Sequence, residues 1–155
     1  YKSCMHQVTL HLGETTLTLC AGTAQRLLPI GLATLAQAFD HRMPNALALE
    51  NAIANVEDAV MPATHWLPPD VQTLASQDAL VAQLTQCATG HPDAQSASRE
   101  AVEALFSALA RQALQPGFHD LQLVQTPEFA AALLVLRESM HHWGMTELVA
   151  LPATA

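Results

Sequence analysis

The chain has 155 residues, half of them hydrophobic and 13% charged, with six Lys plus Arg against fourteen Asp plus Glu and a formal charge of −8. A domain of this length buries roughly 70% of its unfolded surface without a disulfide or metal staple, and the apolar content excludes a disordered acidic segment. No apolar run reaches the roughly 20 residues of a membrane-spanning helix, and one lysine with five scattered arginines makes no basic surface for nucleic acid or anionic lipid.

Residues 7–20 alternate on both sides of Gly13-Glu14, with Val8, Leu10 and Leu12 on one arm and Leu17 and Leu19 on the other. That period predicts a β-hairpin. Arg26–Ile30 is a candidate third strand, which Pro29 restricts to an edge or an end. From residue 31 the period lengthens, and Leu32, Leu35 and Phe39 predict a short helix ending near His41. Asn45 is expected to cap a second helix carrying Leu49, Ile53, Val56 and Val60, stopped by Pro62. Trp66–Asp70 reads as an extended connector, and a third helix is expected from about Ser76, with Leu80, Val81, Leu84 and Cys87 facing inward.

The polar stretch 89–98 is expected to be a flexible loop. Ser98 then caps a fourth helix whose buried stripe is Val102, Leu105, Phe106, Leu109 and Ala113, with Pro116-Gly117 ending it. Asp120–Val124 alternates weakly and is a candidate strand. Thr126-Pro127 opens a last helix that runs to about His142, where Gly144 terminates it. From Phe129 to Leu136 that helix is apolar nearly all round, which predicts a central helix or an oligomer interface. Met145–Leu151 closes the series as a last strand. The expected fold is therefore α+β: a single domain over residues 1–155, an N-terminal hairpin followed by a predominantly helical body with one or two further short strands. Its core is expected around Phe106, Leu109, Phe129, Leu133 and Leu136.

Cys4, Cys20 and Cys87 are odd in number and share no metal-binding spacing, so they read as reduced thiols of a cytoplasmic protein. Heavy use of Ala and Leu suggests a bacterial source. The strongest chemical signal is Glu138-Ser-Met-His141-His142 at the end of the last helix, where Glu-x-x-His spacing puts two metal-ligand types on one face. Glu50 and Glu57 of the second helix are the candidate partners. Against this stands a plain reading, in which His141 and His142 cap free carbonyls of the last turn. The remaining histidines lie on separate elements and never at ligand spacing. The acidic edge Glu57-Asp58 reads first as a solvated face, and Cys87 with His91 lacks the electropositive setting of a reactive thiolate. There is no nucleophile elbow and no glycine-rich phosphate loop.

Two functional expectations follow. The first is a non-enzymatic accessory or protein-interaction domain, a homodimer joined through surplus apolar surface and meeting a protein partner, without cofactor, nucleic acid or membrane. The alternative is a metal- or small-molecule-binding protein, with enzymatic activity in its range. It would use Glu138, His141 and His142 with a carboxylate such as Glu57 from the 45–61 helix, and a divalent metal as cofactor.

Overall fold

The computed structural model describes residues 7–152; Cys4 and His6 lie outside the described residues. Three antiparallel strands come first: β1 (Gln7–Leu12), β2 (Leu17–Ala21) and β3 (Ala24–Leu28). Two helices follow, α1 (Leu32–Ala38) and α2 (Ala46–Val60), then a 3₁₀ turn over Met61–His65 and β4 (Thr73–Ser76). The second half holds α3 (Ala79–Thr89), β5 (Ser96–Ser98), α4 (Arg99–Leu114), α5 (Pro127–Trp143) and β6 (Glu147–Ala150). All six strands form one mixed sheet in the order β3-β2-β1-β4-β6-β5, in which β1, β4 and β6 run parallel and β5 returns antiparallel. The α+β class and the hairpin agree with the sequence.

The alternation of β1 and β2 sorts the sheet into two faces. Val8, Leu10, Leu12, Leu17 and Leu19 are buried, whereas Thr9, His11, Thr18 and Cys20 share the opposite, partly open face. The apolar face joins one core with the helices. At its centre lies α5, which packs against α1, α2 and α4. Every residue from Phe129 to Leu136 is buried, so the second face of α5, expected to need another copy, is covered within the chain. The five expected core residues are all buried.

Helix ends follow the sequence signals. Asn45 Oδ1 accepts from Ala48 N at 2.8 Å, Ser98 Oγ from Ala101 N at 3.1 Å and Thr126 Oγ1 from Phe129 N at 3.1 Å. Gly144 ends α5 in the left-handed conformation at φ 68°. The hairpin turn itself satisfies the start of α1, because Leu32 N donates to Gly13 O and Ala33 N to Glu14 O, both at 2.9 Å. That approach requires Gly31, where a Cβ would stand 2.4 Å from the Glu14 carbonyl.

Two expectations about strands are corrected. Asp120–Val124 is not a strand but a turn, whose polar groups are claimed locally. Gln112, buried on α4, accepts from Asp120 N at 2.7 Å and from Gln125 Nε2 at 3.0 Å, and Asp120 Oδ1 accepts from Gln122 N at 2.9 Å. Conversely, β4 is a central strand in a stretch read as the approach to a helix. Its four residues, Thr-Leu-Ala-Ser, are buried from Leu74 to Ser76 and so show no alternation. Within the polar stretch 89–98, Ser96–Ser98 pairs with β6. Among the described residues no helix is long and apolar enough to cross a membrane.

Candidate functional site

Polar side chains converge at two opposite ends of the sheet. Of the parallel strands, β4 and β6 end level at Ser76 and Ala150, and β1 runs two residues further, to Leu12. Beyond such carboxyl ends open sheets receive their ligands, because strand tips and helix starts leave a crevice there. A cavity of about 420 Å³ runs from this edge along the open face of β1 and β2, lined by Thr9, His11, Thr18, Cys20, Asp78 and Leu151 among others.

Asp78 organises that cavity. It sits between β4 and α3, with its own N–H donating to Ser76 Oγ at 3.1 Å. Its side chain does not cap α3. Instead Oδ2 accepts from the Leu12 amide at 2.7 Å and Oδ1 faces His11 Nδ1 at 2.8 Å. The tautomer that donates from Nδ1 to this carboxylate leaves Nε2 as an acceptor. The imidazole is two-thirds exposed, with 67% of its side chain in solvent. An oriented histidine with an open nitrogen can bind an anion's proton or take one from water. Sequence reasoning missed this pair: 67 residues separate its members, His11 looked like one polar position of a strand, and Asp78 looked like the start of a helix.

The second convergence gathers most of the expected metal-ligand residues. Glu138 and His142 lie one turn apart on α5, and Glu57 reaches them from α2. His142 Nε2 is 3.1 Å from Glu57 Oε2 and 3.4 Å from Glu138 Oε1. Glu138 is buried, and its other oxygen contacts Arg137, whose guanidinium lies over the Phe106 ring at 4.8 Å and faces Glu103 at 3.5 Å. His141 does not join: it is exposed, with its ring edge-on to His142. The i, i+4 neighbour, rather than i, i+3, stacks over Glu138. This cluster stands at the end of α2 that leads towards β4 and the end of α5 that leads into β6, so it occupies the amino-terminal side of the parallel strands.

The other candidates stay apart. Glu50 and Asp58 are exposed, as are His41, His65, His91 and His119. Cys87 is half-buried, and burial pushes its thiol above the usual value, the opposite of thiolate activation.

No protein-family profile matches the chain, and no curated protein sequence matches it. Solved structures do. The fold is similar to about half of each of several solved structures. A Ppx/GppA phosphatase from Aquifex aeolicus, in its type II variant, superposes with a TM-score of 0.67 at 11% identity, over 95% of this chain and 53% of that one. The Aquifex aeolicus PPX-GPPA enzyme gives 0.66 at 11% identity, over 95% and 53%. An exopolyphosphatase-like protein gives 0.62 at 14% identity, over 94% and 54%. The likeness is one of fold, and the chain spans about half the length of these proteins.

The expectation of a non-enzymatic accessory or protein-interaction domain is corrected by this result. Its positive support was surplus apolar surface, but the α5 faces that suggested it are internal, and the fold is one carried by enzymes. Its negative support was the lack of a local motif. That lack says little here, because both polar convergences join residues far apart in sequence: 67 positions at His11–Asp78 and 85 at Glu57–His142. The alternative, a metal- or small-molecule-binding protein with enzymatic activity in its range, fits the findings better.

Proposed function

We propose that the chain is part of a phosphatase that cleaves a phosphoanhydride such as that of polyphosphate, and that its carboxyl-edge cavity forms one wall of the active cleft. The observation that carries this reading is the His11–Asp78 pair at the carboxyl ends of β1 and β4, in a fold shared with Ppx/GppA phosphatases and an exopolyphosphatase-like protein. Asp78 fixes the ring and its tautomer. His11 Nε2 takes a proton from a water as the water oxygen attacks the terminal phosphorus. The bridging P–O bond breaks: the terminal phosphoryl is released as orthophosphate carrying the water oxygen, and the shortened chain leaves with the bridging oxygen, protonated from solvent. The named lining of the cavity holds neither Lys nor Arg. Neutralisation of the substrate's charge is therefore assigned to the opposite wall, contributed by a second domain; the proteins of like fold are about twice as long.

Phosphate release from polyphosphate by the protein carrying this chain tests the reading. Removing a general base costs about 10²–10⁴-fold in rate, so His11→Ala is expected to lower kcat by about 100-fold or more. Asp78→Asn, which leaves His11 without its charged acceptor, should lower it less. A rate that ignores His11→Ala, or no release of phosphate at all, would sink the proposal.

A further inference from the structure

We propose that Glu57, Glu138 and His142 form a structural divalent-metal site of the zinc class, which ties α2 to α5 at the end of the sheet remote from the carboxyl-edge cavity. The inference is independent of the proposed phosphatase activity.

The donor geometry is the first argument. One ligand atom from each residue, Glu57 Oε2, Glu138 Oε1 and His142 Nε2, lies within 4.8 Å of the other two. Bonds of about 2.0–2.1 Å in a tetrahedron set neighbouring ligand atoms about 3.3 Å apart. The two oxygens already stand 3.1 and 3.4 Å from Nε2. A small rotation of Glu57, which is half-exposed, closes the third edge and leaves the fourth position to water.

The second argument is the state of Glu138. Its side chain is 2% exposed, and a carboxylate so buried needs firm compensation. Arg137 serves Oε2. Among the described residues, the polar neighbour of Oε1 is the shared Nε2 at 3.4 Å, and the shorter contact of that nitrogen, 3.1 Å, is to Glu57. One imidazole proton serves two carboxylates poorly, and a divalent cation in its place serves both. Arg137 then acts as the outer group that orients a ligating carboxylate. Three carboxyl side chains, counting Glu103 against Arg137, surround one guanidinium here, so the pocket favours a cation.

The third argument is rigidity. Both helices are held at this level without the ion, because Trp143 Nε1 donates to Val60 O at 2.8 Å in the buried interface. The ligands thus sit on packed helices with little ordering left to do. An imidazole with carboxylates suits zinc and its neighbours in the first transition row better than magnesium or calcium, which prefer all-oxygen sets.

Cobalt(II) and zinc(II) salts, added singly to the purified metal-free chain, provide the test. The expected result is a visible absorption band of four-coordinate Co²⁺ at one equivalent, displaced by Zn²⁺, and a melting temperature that rises with Zn²⁺. His142→Ala and Glu57→Gln should each abolish the band and weaken Zn²⁺ by tenfold or more, whereas His141→Ala should change neither. Should His142→Ala fail to fold, Glu57→Gln decides alone, because that side chain is partly solvated. Absence of Co²⁺ and Zn²⁺ binding, or binding that survives Glu57→Gln, overturns the site.

Discussion

Truncating Leu134 to alanine separates a helix buried by its own chain from one buried by a second copy. Leu134 lies on the flank of α5 away from the stripe that sequence patterning singles out, yet it is 0% exposed in the single chain. Leu→Ala at a fully buried site costs the transfer free energy of the lost atoms plus a cavity term, together about 2–5 kcal/mol. Leu134 is flanked by Leu133 and Val135, also 0% exposed, on a packed helix with little freedom to collapse, so about 3–4 kcal/mol is expected. For a chain of this size that corresponds to a fall in melting temperature of about 6–16 °C. Urea denaturation followed by the fluorescence of buried Trp143 reads it directly. Leu114, 70% exposed at the end of α4, is the control, and Leu114→Ala should shift stability by less than about 0.5 kcal/mol. Equal effects at the two positions, or a midpoint that rises with protein concentration, would refute burial within one chain.

Gly31→Ala places a Cβ 2.4 Å from the Glu14 carbonyl, and since backbone cannot swing aside the unfolding free energy should fall by about 1–3 kcal/mol; an unchanged denaturation midpoint would show that the hairpin turn does not cap α1. Trp143→Phe leaves the Val60 carbonyl without its indole donor and should cost about 1–3 kcal/mol, checked by thermal melting. Cys87, with its thiol pushed up by burial, holds less thiolate at neutral pH than a free cysteine. Its alkylation by iodoacetamide should therefore lag that of a cysteine peptide at pH 7 and catch up only in alkaline buffer, as mass spectrometry of the modified peptide would show.

What was legible in the sequence was what local period and capping chemistry dictate. Val8–Leu12 and Leu17–Leu19 alternate because one sheet face is buried, and Asn45, Ser98, Thr126 and Gly144 mark helix ends through side-chain or left-handed geometry that needs no tertiary partner. β4 was not legible, since a central strand with Ala75 and Ser76 shows neither alternation nor bulk. Asp120–Val124 mimicked a strand because Gln112, which satisfies that turn, comes from another element. The carboxylate–histidine cluster was half legible: Glu138 and the tandem histidines share one helix end, but whether residue 141 or 142 faces Glu57 depends on how α2 lies against α5. The His11–Asp78 pair was not legible at all, because only the parallel pairing of β1 with β4 brings its members together.

The most direct test of the account is an amide NMR titration of the protein carrying this chain with tripolyphosphate, a soluble mimic of the proposed substrate. The cleft reading predicts chemical-shift changes concentrated at the carboxyl edge, at His11, Leu12, Gln77, Asp78 and Leu151, and their loss in His11→Ala. Shifts confined to other surfaces, or a spectrum unaltered by the ligand, would contradict the assignment of that edge as the substrate wall.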